Sequence, residues 1–122
     1  MKRDEKGQSL VGPGGAPFRL VSIGHGAIAR SLGASLARTG VGSALQACLL
    51  SPLSTRRTIE GLHRFGDVDE LVEARPELVV ECAGHEAVRS VVPTILAAGI
   101  DVIVVSIGAL ADPVTLHAVE RA

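Results

Sequence analysis

The stretch "LVSIGHGAIARSLG", residues 20–33, decides the fold. A short apolar run ends in Gly24-His25-Gly26, and a segment with Ile28, Leu32 and Leu36 four residues apart follows at once. Extended chain therefore gives way to helix across a junction that carries almost no side chain. Gly24-His25-Gly26-Ala27-Ile28-Ala29 fits G-x-G-x-x-A in the setting that pattern requires, after a strand and opening a helix. Gly24 permits a tight turn, Gly26 leaves room for a pyrophosphate against the backbone, and Ala29 is small enough for the helix to lie close on a sheet. Gly33 lies one turn on, on the same side. The helix start offers free N–H groups and a partial positive charge to phosphate. The bland alternative is a tight strand-to-helix turn with no ligand.

Outward from this junction the same alternation repeats. Strands are expected at 18–24, 44–51, 63–65, 77–84 and 101–108, and helices at 27–39, 67–74, 86–99 and 112–122. A short helix or turn is expected at 54–62. Gly40 suits the end of the first helix, and Pro93 should kink or break the helix over 86–99. Asp112 and Pro113 suit the cap and first position of the last helix. The β-branched run "DVIVVSIG" over 101–108 predicts a strand buried on both faces. Strand–helix alternation without a hairpin signal predicts a parallel sheet joined by crossovers. The expected fold is a Rossmann-type, doubly wound α/β domain, a single domain over 17–122 with strand order 3-2-1-4-5. Residues 1–16, "MKRDEKGQSLVGPGGA", read as a flexible leader.

Composition agrees with such a core. The chain has 122 residues, 47% hydrophobic, with two Phe and no Trp or Tyr, so the interior must be aliphatic. The near absence of aromatics argues against a stacking platform for nucleic acid, and no dense Lys/Arg run offers a basic one. From Lys6 to Ile59 there are six Lys/Arg and no acid, whereas Glu60 to Ala122 holds eleven acids against four Arg. A basic first half suits a small anionic ligand. Cys48 and Cys82 sit in apolar runs without metal-ligand spacing, and read as buried, reduced thiols. No signal peptide and no apolar stretch long enough for a membrane span is visible, which suits a cytoplasmic protein.

The end of the second strand bears on cofactor choice. An acid there would bind the ribose hydroxyls of NAD. The chain instead has Ser51, then Arg56 and Arg57, which suits a ribose 2′-phosphate held by guanidinium forks and favours NADP over NAD. His25 could reach the pyrophosphate or point into water. His63 and His117 lie on expected surface elements and read as structural. His85 follows the strand end Cys82-Ala83-Gly84, where open α/β sheets bind ligands, though capping or solvation is its plainer role.

Two further segments carry a resemblance. "VVECAGHEAV" (79–88) and "VVSIGALAD" (104–112), with "IGHGAIA" (23–29), resemble the corresponding segments of L-aspartate dehydrogenases, NAD(P)-dependent enzymes of the aspartate and homoserine dehydrogenase group. The resemblance runs from about Phe18 to the end. It implies oxidation of L-aspartate to iminosuccinate, which gives oxaloacetate and ammonia or feeds NAD synthesis. It implies that Gly24, His25, Gly26, Ala27 and Ile28 hold the pyrophosphate. It implies that Cys82, Ala83, Gly84 and His85, with Ser106, Gly108 and Ala109, border the nicotinamide ribose.

The family's catalytic histidine, its aspartate-binding residues and much of its dimer interface lie in a C-terminal domain with no counterpart in these residues. No catalytic residue and no metal ligand is therefore expected here. L-aspartate would bind only together with that domain, and a homo-oligomer is possible. The rival readings are a non-catalytic, truncated NAD(P)-binding module, a methyltransferase-type domain disfavoured by the missing acid, and an interaction domain with an empty site.

Overall fold

In the computed structural model the described residues are 18–39, 45–51 and 61–122. The expected leader, the expected Gly40 cap, most of the segment 54–62, and Arg56 and Arg57 lie outside them. Among the described residues five strands form one parallel sheet: β1 (Leu20–Ile23), β2 (Leu45–Leu49), β3 (His63–Phe65), β4 (Leu78–Glu81) and β5 (Asp101–Val104). Their order across the sheet is β3-β2-β1-β4-β5, as the alternation predicts. The helices are α1 (Ala27–Arg38), α2 (Val68–Ala74), α3 (His85–Ser90), α4 (Val92–Ala97) and α5 (Pro113–Arg121), with a 3₁₀ turn over Ile107–Ala111.

The sheet steps one way from β1 to β2 and the other way from β1 to β4. Crossovers of one hand then put the connecting helices on opposite faces, with the change of side between β1 and β4. The packing agrees. Val21, Ile23, Ala47, Leu49, Phe65 and Val79 form one buried cluster with Leu71 of α2, Val88 of α3, and Val92 and Ile95 of α4. Ala29 of α1 is fully buried outside that cluster, and Gly33 lies beside Leu45.

Local chemistry sets the helix ends. Asp67 caps α2 by accepting from the Glu70 N–H at 2.9 Å, while the Glu70 carboxylate accepts from Gly66 N–H at 2.7 Å. Asp112 caps α5 and accepts from the Thr115 hydroxyl at 2.8 Å. The helix expected over 86–99 is two. It breaks at Val91, and Pro93, which cannot donate to the preceding turn, falls in the first turn of α4.

Two expectations are corrected. The run over 101–108 is not a strand buried on both faces: β5 ends at Val104 and lies at the sheet edge, leaving Ile103 52% exposed. Val102 and Val104 face the core, whereas Ile103 pairs with Val80 on the opposite face. His63 is not a surface residue. It is half-buried, stacked on Phe18 with ring centroids 5.5 Å apart, and its ring meets Phe65 edge-on at 4.9 Å. The two Phe of the chain and this imidazole thus share one contact at the β2–β3 edge.

Leu71 is fully buried in the main cluster whereas Val114 is 74% exposed. Leu71→Ala should cost about 2–5 kcal/mol. Val114→Ala should stay within about 0.5 kcal/mol. Urea unfolding of the two variants checks both.

Candidate functional site

All five strands are parallel, so their carboxyl ends share one rim, and the change of side between β1 and β4 opens a crevice there. The turn after β1 and the loop after β4 form its two walls and touch closely. Gly24 has φ +83°, and a Cβ placed on it would lie 3.0 Å from Ala83 Cβ and 3.3 Å from Cys82 O. Both the backbone angle and the neighbouring wall therefore exclude a side chain. The Gly24 N–H donates to Leu49 O at 2.7 Å, and the Ser22 hydroxyl donates to Gly24 O at 2.9 Å, fixing the turn against β2 and β1.

Gly26 is different. It is the N-cap of α1 with extended backbone, makes no side-chain cap, and has open space where a Cβ would stand. The first turn of α1 contains no acid, and Gly26, Ala27 and Ile28 are exposed. Free N–H groups thus face solvent at the positive end of a twelve-residue helix. That arrangement fits a phosphate group. His25 beside it is half-buried rather than pointing into water, and Ser51, at the end of β2, is exposed.

The other wall is organised by a residue that the sequence reading passed over. Glu81, the last residue of β4, is fully buried. Its Oε2 accepts from Ala83 N–H at 2.8 Å, Gly84 N–H at 2.7 Å and the Ser106 hydroxyl at 2.8 Å. Its Oε1 accepts from Ser106 N–H at 2.8 Å. One carboxylate therefore joins the loop after β4 to the loop after β5. Burial by itself raises the carboxyl pKa. The donors, led by Gly84 N–H and then Ser106, outweigh it and hold the group below its ordinary 4.5. The one available signal was an acid closing the apolar run "LVVE" just before Cys82-Ala83-Gly84.

Cys82 is half-buried, less enclosed than the core thiol expected there, and Cys48 is buried as expected. Burial first, and then the Glu81 charge, push the Cys82 thiol above its ordinary 9.0, so it stays protonated near neutral pH. Gly84 has φ +129° and caps α3, which begins at the exposed His85. The His85 ring lies over Gly108: a Cβ there would come within 3.0 Å of Nε2. Ala109 is buried in the main cluster. Arg89, one turn past His85, is exposed and paired with Glu86. Among the described residues, no group of three His, Cys, Asp or Glu side chains could hold a metal ion. No helix among them is long and apolar enough to cross a membrane.

A parallel sheet of this order, with a glycine-lined helix start at its switch point, defines a Rossmann-type nucleotide-binding domain. The family described as "Homoserine dehydrogenase, NAD binding domain" matches residues 24–122, and the chain belongs to that family. An L-aspartate dehydrogenase 1 of Bordetella parapertussis is 38% identical over 96 residues, covering 79% of this chain and 36% of the relative. An L-aspartate dehydrogenase of Ruegeria pomeroyi is 37% identical over 120 residues, covering 90% of this chain and 39% of its own length. The crystal structure of an aspartate dehydrogenase from Thermotoga maritima superposes with TM-score 0.58 at 24% identity, over 86% of this chain and 42% of that one, and supports the fold. The chain thus spans well under half the length of these relatives.

The Glu81 pKa has a consequence for stability. A carboxyl held below its unfolded value stabilises the fold above that value, and the contribution is lost as pH falls through the folded pKa. Acid titration of unfolding free energy should therefore fall away below about pH 4.5 in the wild type. In Glu81→Gln that decline should be shallower, and an identical slope would contradict the assignment.

Proposed function

We propose that this chain is the dinucleotide-binding part of an L-aspartate dehydrogenase-like oxidoreductase. The observation that carries the binding half of this reading is the start of α1: uncapped, without an acid in its first turn, and with open space at Gly26. A pyrophosphate there would accept from the N–H groups of the first turn, held by Gly24, His25, Gly26, Ala27 and Ile28. The nicotinamide half would then extend along Cys82, Ala83, Gly84, His85, Ser106, Gly108 and Ala109. Bound NAD or NADP supplies a hydride acceptor, and this chain's part is to hold and orient it.

The names of the relatives support L-aspartate as the substrate of the whole enzyme, with iminosuccinate, then oxaloacetate and ammonia, as products. Aspartate binding and the catalytic residue are assigned to a further domain, since the chain spans 36% to 39% of those relatives. No histidine of this chain is given the catalytic role.

Gly26→Val is the direct test. A branched side chain would fill the open space at the helix start, so titration followed by NADPH or NADH fluorescence should show binding abolished. The thermal midpoint should change little, because the Gly26 backbone is extended and its surroundings are open. Binding that persists in a folded variant would remove the phosphate assignment.

Cofactor preference rests on Ser51, Arg56 and Arg57 with no acid after the second strand. NADPH should bind about tenfold or more tightly than NADH, the scale of one charge-assisted contact. Arg56→Ala/Arg57→Ala should level the two affinities. Equal affinities in the wild type would remove the argument.

A further inference from the structure

Glu81 is the one fully buried carboxylate among the described residues, and nothing in dinucleotide chemistry as outlined above uses it. Its setting is costly. A buried charge is tolerated only when donors surround it. An apolar side chain would pack in the same place without that penalty, but would leave Ala83, Gly84 and Ser106 N–H groups without this acceptor. What the carboxylate uniquely provides is a link between two loops that the chain separates by 25 residues. We propose that Glu81 is a positioning residue that clasps the loop after β4 to the loop after β5 and so presets the nicotinamide side of the crevice.

Three contacts make the clasp consequential. Ala83, one of its donors, meets Gly24 where the two walls touch, while the Gly24 turn itself is held separately, by Leu49 O and the Ser22 hydroxyl. Gly84, another donor, starts α3 and so aims His85. The His85 ring in turn lies over Gly108, in the turn that Ser106 begins. A loop that is already shaped spends less binding free energy on ordering when a ligand arrives. The adenosine side, built on α1 and β2, has no part in this network.

This inference rests on the dinucleotide reading, and the experiment separates the two. Affinities for NADPH, NADH and ADP are measured by calorimetry on the 122-residue chain and on Glu81→Gln and Ser106→Ala. ADP carries the adenosine and pyrophosphate without the nicotinamide. Glutamine keeps one acceptor oxygen but turns an N–H₂ donor toward one of the present donors. Glu81→Gln should weaken both dinucleotides about tenfold or more and ADP by less than about twofold. Ser106→Ala, which removes only the hydroxyl's bond, should move the dinucleotides the same way by a few-fold, and it decides the matter if Glu81→Gln does not fold. A uniform loss across all three ligands would make Glu81 a merely structural residue and overturn the proposal, as would no loss. If the wild type binds neither dinucleotide, the dinucleotide reading itself falls and takes this one with it.

Discussion

Parallel strands run out of ladder partners together, at one rim, and every N–H group leaving the sheet there needs an acceptor. Much of this molecule's functional architecture follows from how those groups are met. The backbone continues the ladder for one more residue at three places: Gly24 N–H to Leu49 O, Cys82 N–H to Ile23 O, and Val105 N–H to Glu81 O. Beyond that the two walls diverge. After β4 a side-chain carboxylate gathers the next amides. After β1 the chain turns at Gly24 and enters α1 with no side-chain cap. A helix start left in that state at the mouth of a crevice suits an anion.

The buried charge shapes its surroundings chemically as well as mechanically. Held ionised by amides and a hydroxyl, Glu81 raises the neighbouring Cys82 thiol, which burial has already raised. The Cys82 thiol just past β4 is thus neither a ready nucleophile nor a ready acid near neutral pH. The exposed imidazole of His85 sits beyond it on the lip of the crevice, against Gly108. These are properties of a surface that holds a ligand, and they agree with a family defined by nucleotide binding.

What could be read from sequence divides along physical lines. Strand order was legible because alternating period and crossover handedness leave few topologies. Gly24 and Gly26 were legible because a positive φ and an empty Cβ position leave a residue-type signature. The exposure of Ile103 was not, because β-branched composition reports strand preference and does not say which strand lies at an edge. His63 was misplaced because its contact with Phe18 joins positions far apart in the chain. Glu81 was invisible for a related reason: its partners are amides, which every residue has, so no side-chain pattern announces them. Pro93 marked a disrupted helix, and the break itself falls at Val91, just ahead of the turn that proline can occupy.

The two halves of the crevice are therefore built on opposite principles. The half built on the start of α1 works by what is missing: side chains at Gly24 and Gly26, a cap, an acid in the first turn of α1. Its residues lie within one strand–turn–helix unit, so it reads clearly in a single stretch of sequence. The other half works by what is present, a carboxylate and four donors drawn from two loops. It forms only when β5 has docked beside β4, since Ser106 must arrive before the clasp can close. Its shape is thus tied to completion of the sheet, whereas the turn at Gly24 needs chiefly β1, β2 and α1. On the proposed reading, local structure meets the part common to many nucleotides, and the side on which the reactive ring would lie is reserved for the finished fold.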